Sequence, residues 1–184
     1  WAQINRRLIA DLLLEHLAGP CGGEPEGADG AFESVHNYIG DDNIIRKGAI
    51  AAYAGQRCII PLNMRDGSLI CTGRGNGDWN CSAPHGAGRV MSRSQAFQRI
   101  SMEEYRRSMQ GIYSESLSEE TKDESPMAYK PKDEILANIR DTVEVVDVIR
   151  PTYNFKAAEE PFFGRKIKKQ GEPLGEKCPR HNAV

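Results

Sequence analysis

Helices and short strands are both written into this sequence, so it predicts a fold that contains both. Three observations carry that reading. Trp1, Ile4, Leu8, Leu12 and Leu13 recur at the spacing of an amphipathic helix. Ser92 with Gln95, and Ser101 with Glu104, are two capping boxes, each of which opens a helix. Short apolar runs at 50–53, 58–60 and 68–71 are divided by Gly55, Pro61 and Gly67, the pattern of short strands joined by turns. At 184 residues the chain is long enough for one domain with a hydrophobic core.

Composition narrows the function classes. Hydrophobic residues at 39% and charged residues at 27% are ordinary for a globular protein, and no apolar run reaches the length of a membrane span. Nothing at the start has the pattern of a signal peptide. A formal net charge of −2 gives no global attraction for nucleic acid, so any such affinity needs a local basic patch. Arg89, Arg93, Arg99, Arg106 and Arg107, against Glu103 and Glu104, offer one. Five cysteines (Cys21, Cys58, Cys71, Cys81, Cys178), odd in number and without a CxxC pair, predict reduced thiols in a cytoplasmic setting. The chain opens at Trp1 inside a helical pattern and is expected to be the C-terminal part of something longer.

The first helix is expected to stop at Gly19-Pro20, to pack on the body, and to leave His16 at the surface. Residues 18–30 are a loop by composition. His36-Asn37 follows; alone it reads as a structural histidine, and Asp41-Asp42 reads as a solvated turn. Arg46-Lys47-Gly48-Ala49 sets two cations before a glycine turn. It suits a phosphate contact and a salt-bridged strand end equally well. Pro61-Leu62-Asn63-Met64 precedes Ser68 in what reads as a loop. The stretch 72–79 is rich in glycine but lacks the phosphate-loop spacing. Its Trp79 is suited to stacking on a base, though anchoring the loop on the core is the more frequent role.

Beyond the two capped helices, the acidic, polar stretch 114–125 reads as an exposed loop. Pro131, Asp133 and Glu134 open a further helix carrying Ile135, Leu136 and Ile139. Val143, Val145, Val146 and Ile149 read as a strand that Pro151 ends or confines to an edge. Residues 157–184 are expected to form an extended tail, basic at 165–169. Cys178 and His181 supply only half the ligands of a zinc site.

The densest chemistry lies in Pro84-His85-Gly86-Ala87-Gly88-Arg89-Val90-Met91-Ser92-Arg93. Glycines let backbone N–H groups approach an anion, a helix start adds its positive end, and arginines donate to phosphate in pairs. A histidine among such groups is a ligand, an acid or base, or a nucleophile toward phosphorus.

This string resembles the His-Gly-Ala-Gly-Arg-x-Met-Ser-Arg signature of the RtcB RNA ligases. Pro126-Met127-Ala128-Tyr129-Lys130, His36-Asn37 and residues 46–49 resemble that family's motifs in the same order. The likeness extends over 1–156, which implies the C-terminal part of the catalytic domain, in an α+β fold with mixed sheets and flanking helices. It implies joining of an RNA 3′-phosphate (or 2′,3′-cyclic phosphate) to a 5′-hydroxyl, with GTP and manganese, in RNA repair or tRNA splicing. His85 would be the nucleophile that takes up GMP, and His36 a manganese ligand. Asn37, Pro61, Leu62, Asn63, Met64, Ser68, Gly86, Ala87, Gly88 and Lys156 would contact the guanylate. Family members read Pro-Gly-Ser-Met where this chain has Pro61-Leu62-Asn63-Met64. Leu62 lacks glycine's freedom at positive φ, while Asn63 still donates and accepts hydrogen bonds. The competing readings are a catalytically inactive nucleotide- or RNA-binding homologue and a metal-dependent phosphatase or nuclease.

Overall fold

A computed structural model describes residues 1–21 and 31–156. In chain order it holds α1 (Ala2–Cys21), β1 (Tyr38–Ile39), β2 (Ile45–Arg46), β3 (Ala49–Ala51), β4 (Arg57–Asn63), β5 (Gly67–Gly73) and β6 (Ser82–Pro84). Then come α2 (Arg93–Arg99), α3 (Met102–Ser108), α4 (Lys132–Asn138) and β7 (Val143–Ile149). Single-turn 3-10 segments lie at Gly77–Trp79 and Pro126–Ala128, and a longer one at Glu119–Glu124. The α+β reading therefore holds. The expectation of mixed sheets narrows to three small ones: β1-β2, β3-β6 and β4-β5-β7. The β1-β2, β3-β6 and β5-β7 pairs are antiparallel. β7 lies at a sheet edge, as Pro151 predicts, and its pairing with β5 slips by a bulge at Ile70/Cys71.

Local chemistry accounts for the helix starts. Ser92 accepts from the Gln95 N–H and Gln95 returns a bond to the Ser92 N–H, and Ser101 and Glu104 repeat the arrangement. Each box satisfies two of the orphan donors of a short helix. Glu103 and Glu104 at the start of α3, with Arg106 and Arg107 at its end, also complement the helix dipole.

Two compact units make up the chain. The first takes Trp1–Pro61, Ser68–Gly86 and Asp133–Ile149. Its buried apolar residues include Ile50, Cys58, Ile60, Leu69, Cys71, Ile139 and Val143. Its α1 departs from expectation. Ile4, Leu8, Ile9, Leu12, Leu13 and Leu17 are all exposed rather than packed on the body. His16 is at the surface as read, its Nδ1 bonded to the Leu12 carbonyl at 2.8 Å.

The second unit takes Leu62–Gly67, Ala87–Lys132 and the chain from Arg150 onward. Its core joins Met64, Ala96, Ile100, Tyr105, Met109 and Ala128. The Tyr105 hydroxyl donates to the Met64 sulfur at 3.2 Å. The stretch 114–125 is not simply an exposed loop. It coils into the 3-10 segment Glu119–Glu124 and buries Ser116, Thr121, Asp123 and Ser125. The expected tail at 157–184 lies outside the described residues.

Candidate functional site

His85 follows directly on β6, which pairs with β3 at Ala49↔Pro84. Its N–H donates to the Gly48 carbonyl at 3.3 Å. Gly48 holds a φ of +71°, and a Cβ built there would stand 3.7 Å from Cδ2 and 3.9 Å from Nε2 of His85. Glycine serves the turn, and the imidazole lies against its face. Asn37 also has a left-handed φ of 54°, and its Oδ1 accepts the Gly48 N–H at 2.8 Å. That hairpin-like tie brings His36 edge-on to His85, with ring centroids 5.4 Å apart and planes at 75°. Burial, and then the charge of His85, hold the His36 imidazole below its ordinary pKa. A neutral ring keeps a lone pair for a metal or a proton. Residues far apart in sequence, His36, Asn37, Gly48 and His85, are thus assembled in the first unit.

The pair Arg46-Lys47 divides between its two readings. Arg46 is 2% exposed, and its guanidinium bonds both Asp42 oxygens at 3.3 and 2.9 Å. It also donates to Ser82 Oγ at 3.0 Å, the Tyr53 hydroxyl at 3.2 Å and the Asn80 carbonyl at 3.3 Å. Hydrogen bonds from Arg46 and then Tyr53 hold the Asp42 carboxyl well below the usual carboxylate range. Asp42 additionally accepts the Ile44 N–H at 3.1 Å, closing the turn at 41–43. Arg46 is the salt-bridged strand end. Lys47 is exposed, with no carboxylate partner among the described residues.

A second cluster forms within the second unit. Glu124 receives Lys156 Nζ at 3.1 Å, Arg93 Nη1 at 3.2 Å and the Tyr129 hydroxyl at 2.8 Å, with Arg89 Nη1 at 3.6 Å. Arg93 pairs as well with Asp123, whose carbonyl accepts from Arg89. Arg89 lies over the Tyr129 ring, 4.9 Å from its centroid, and donates to its hydroxyl at 3.2 Å. The backbone N–H of Lys156 donates to Ser116 Oγ at 2.9 Å. Burial opposes ionisation of Glu124, yet bonds from Tyr129 and Lys156 and the charges of Lys156 and Arg93 hold its carboxyl below the ordinary value. Three cations face two carboxylates here, which leaves positive charge for an anionic ligand. Sequence reading missed Asp123 and Glu124 because nothing local separates them from their acidic neighbours.

This cluster yields a pH prediction. Burial first, and then the bond to Glu124, push the Tyr129 phenol up to about 12. An unfolded tyrosine ionises near ~10. Between those values the unfolded chain holds fewer protons than the native one, so this contribution is intact below about pH 10 and is lost as pH rises through about 12. Absorbance titration of tyrosinate should lose a step at about pH 12 in Tyr129→Phe; a titration unchanged there by that substitution refutes the assignment.

The remaining candidate residues scatter by environment. Pro61, Leu62 and Asn63 end strand β4 rather than forming a loop, and Leu62 is 3% exposed. Leu62 is not among the residues of positive φ. Asn63 Oδ1 accepts the N–H groups of Arg65 and Asp66, and its Nδ2 donates to Asp66, building the turn into β5. The Met64 side chain is core, and its carbonyl accepts from Asn154 at 3.1 Å. Ser68 stands opposite Ile149 in the sheet. Gly86 lies against the Pro61 carbonyl, 3.1 Å from a would-be Cβ. Ala87 is buried, while Gly88 is exposed at a φ of +71° and its carbonyl accepts the Lys130 N–H. That last bond ties Gly88 to the segment carrying Tyr129.

Among the described residues, no three His, Cys, Asp or Glu side chains gather into a metal cage. Burial pushes the Cys58 and Cys71 thiols up to about 11 and about 12, so neither offers a thiolate near neutrality.

Residues 1–157 match the family model described as tRNA-splicing ligase RtcB. The chain belongs to the RtcB family. It is 35% identical over 167 residues to the RNA-splicing ligase RtcB of Escherichia coli strain K12. It is 36% identical over 167 residues to RNA-splicing ligase RtcB1 of Escherichia coli strain ATCC 25922. Each match covers 82% of this chain and 40% of the relative, so this RtcB-family chain spans about two fifths of the curated relatives' length. No described helix is long and apolar enough to cross a membrane.

Proposed function

We propose that the protein to which this RtcB-family chain belongs joins RNA ends through a GMP–histidine intermediate at His85. The observation that carries it is a histidine packed on a positive-φ glycine and edge-on to a second, neutral histidine at 5.4 Å. The His85 ring nitrogen attacks the α-phosphorus of GTP, a P–N bond forms, and the bond to the departing pyrophosphate breaks. An oxygen of the RNA 3′-phosphate then attacks the same phosphorus, releasing His85 and leaving a GMP-capped end. The RNA 5′-hydroxyl attacks the terminal RNA phosphorus, loses its proton, and expels GMP. His36 suits manganese as one neutral nitrogen ligand, and the bound ion would neutralise phosphoryl charge. Glycine N–H groups at 86 and 88 are suited to phosphoryl oxygens. Free Cys58, Cys71 and Cys81 suit a cytoplasmic location.

The full-length protein, given GTP labelled in its α-phosphate, should retain label through a bond that is labile to acid and stable to alkali. Absence of that adduct favours the binding-only homologue, for which the Leu62-Asn63 replacement is the one supporting feature.

Lys156 is assigned to nucleotide choice, its ammonium held in place by Glu124 at 3.1 Å. A lysine donates to guanine O6 or N7, and adenine offers an amine at the position of O6. Losing a charged hydrogen bond costs roughly 1.5–3 kcal/mol, on the order of tenfold or more in affinity. Lys156→Ala should therefore weaken GTP more than ATP in competition binding. An equal loss for both nucleotides would assign the lysine to phosphate instead.

A further inference from the structure

We propose that a cavity beside His85 is a subsite for one unpaired RNA nucleotide, with Trp79 as the platform for its base and Lys47 facing its phosphate. The inference rests on the RNA-ligase reading for the identity of the strand. All of its structural observations lie in the first unit. The cavity, about 370 Å³, is lined by Lys47, Gly48, Trp79, Asn80, Pro84 and Asn138 among others. That volume is in the range, roughly 300–1,000 Å³, of small-ligand sites. Gly48 and Pro84 line the cavity; Gly48 lies against the His85 imidazole and Pro84 directly precedes His85, so the space is one residue away from the reacting histidine.

Trp79 is not spent on anchoring its loop. It is 58% exposed. Other groups hold the loop: Asn76 Oδ1 caps the 3-10 turn through the Asp78 N–H, and Asn76 Nδ2 reaches the Asp141 carbonyl at 3.1 Å. The Arg74 N–H donates to the Thr142 carbonyl at 2.9 Å, and the Asn80 N–H closes the turn onto Gly77 at 3.0 Å. The indole is therefore presented at the cavity on a backbone fixed by other groups. An exposed aromatic is a sequence-tolerant stacking surface for an unpaired base, and a nearby ammonium is the ordinary partner of its phosphate. Lys47, exposed and without a carboxylate partner among the described residues, supplies that ammonium.

The test uses the full-length protein, with the Trp79 signal taken as the difference in emission between the unaltered protein and Trp79→Phe. A short single-stranded RNA with a 3′-phosphate should quench Trp79 emission, and a blunt RNA duplex should not. Trp79→Ala should weaken that RNA roughly tenfold or more, while Trp79→Phe keeps most of the affinity. Lys47→Ala should weaken binding uniformly across sequences and reduce the salt slope by about one. Unchanged affinity in Trp79→Ala, or equal quenching by duplex, overturns the proposal. GMP uptake by the unaltered protein is measured alongside. Quenching without uptake refutes the ligase reading and keeps the subsite; uptake without quenching refutes the subsite alone.

Discussion

The full-length protein carrying His85→Ala is expected to take up no labelled GMP. An imidazole nitrogen is the nucleophile in the P–N bond, and alanine offers nothing in its place. Adduct formation should fall by on the order of 10⁴-fold or more, to background, because loss of a nucleophile leaves no second covalent route. The fold should survive the change. The His85 backbone N–H to Gly48 is kept by alanine, and the ring contacts that are lost are to the Gly48 face and to the edge of His36. Unchanged circular dichroism together with lost adduct is the expected pair of results. A His85→Ala protein that still forms an acid-labile GMP bond would place the nucleophile elsewhere.

Arg46→Ala is expected to have the largest effect on stability. At 2% exposure the Arg46 side chain is the largest buried polar one among the described residues of the first unit, and it ties β2 to the start of β6 through Ser82 and Asn80. Alanine leaves Ser82 and the Asn80 carbonyl without this donor, and losing hydrogen bonds to a charged group costs roughly 1.5–3 kcal/mol. The amides of β1 and β2 should then exchange with solvent about tenfold faster or more, at one decade per 1.4 kcal/mol. Arg46→Lys restores the charge but not the forked donor set, so it should recover only part of the protection. Because the same hairpin follows His36 and precedes Lys47, GMP uptake should fall with it. Unchanged exchange in Arg46→Ala would mean that the network does not hold this hairpin.

Interactions between near neighbours were legible without a structure. Both capping boxes act over three residues, and the helices they open appear where Ser92 and Ser101 put them. Pro151 marks the end of an edge strand because it lacks a ladder donor. The string around His85 and the order of motifs from His36 to Tyr129 identified the family, a match that spans residues 1–157.

Tertiary structure decided what depends on distant partners. Equal readings of Arg46 and Lys47 separated only when Ser82, 36 residues away, and Asn80 were placed against the Arg46 guanidinium. Asp123 and Glu124 looked like solvent-facing acids until folding set them against Arg93, 30 residues away, and Lys156. Met64 became a core residue through Tyr105, 41 residues on, and Trp79 stayed at the surface because Asn76 and Arg74 already held its loop. Local patterns encode what the backbone needs within a turn or two. Which charge is buried, and which aromatic is left for a ligand, is set by long-range contacts whose energies appear only when the segments meet.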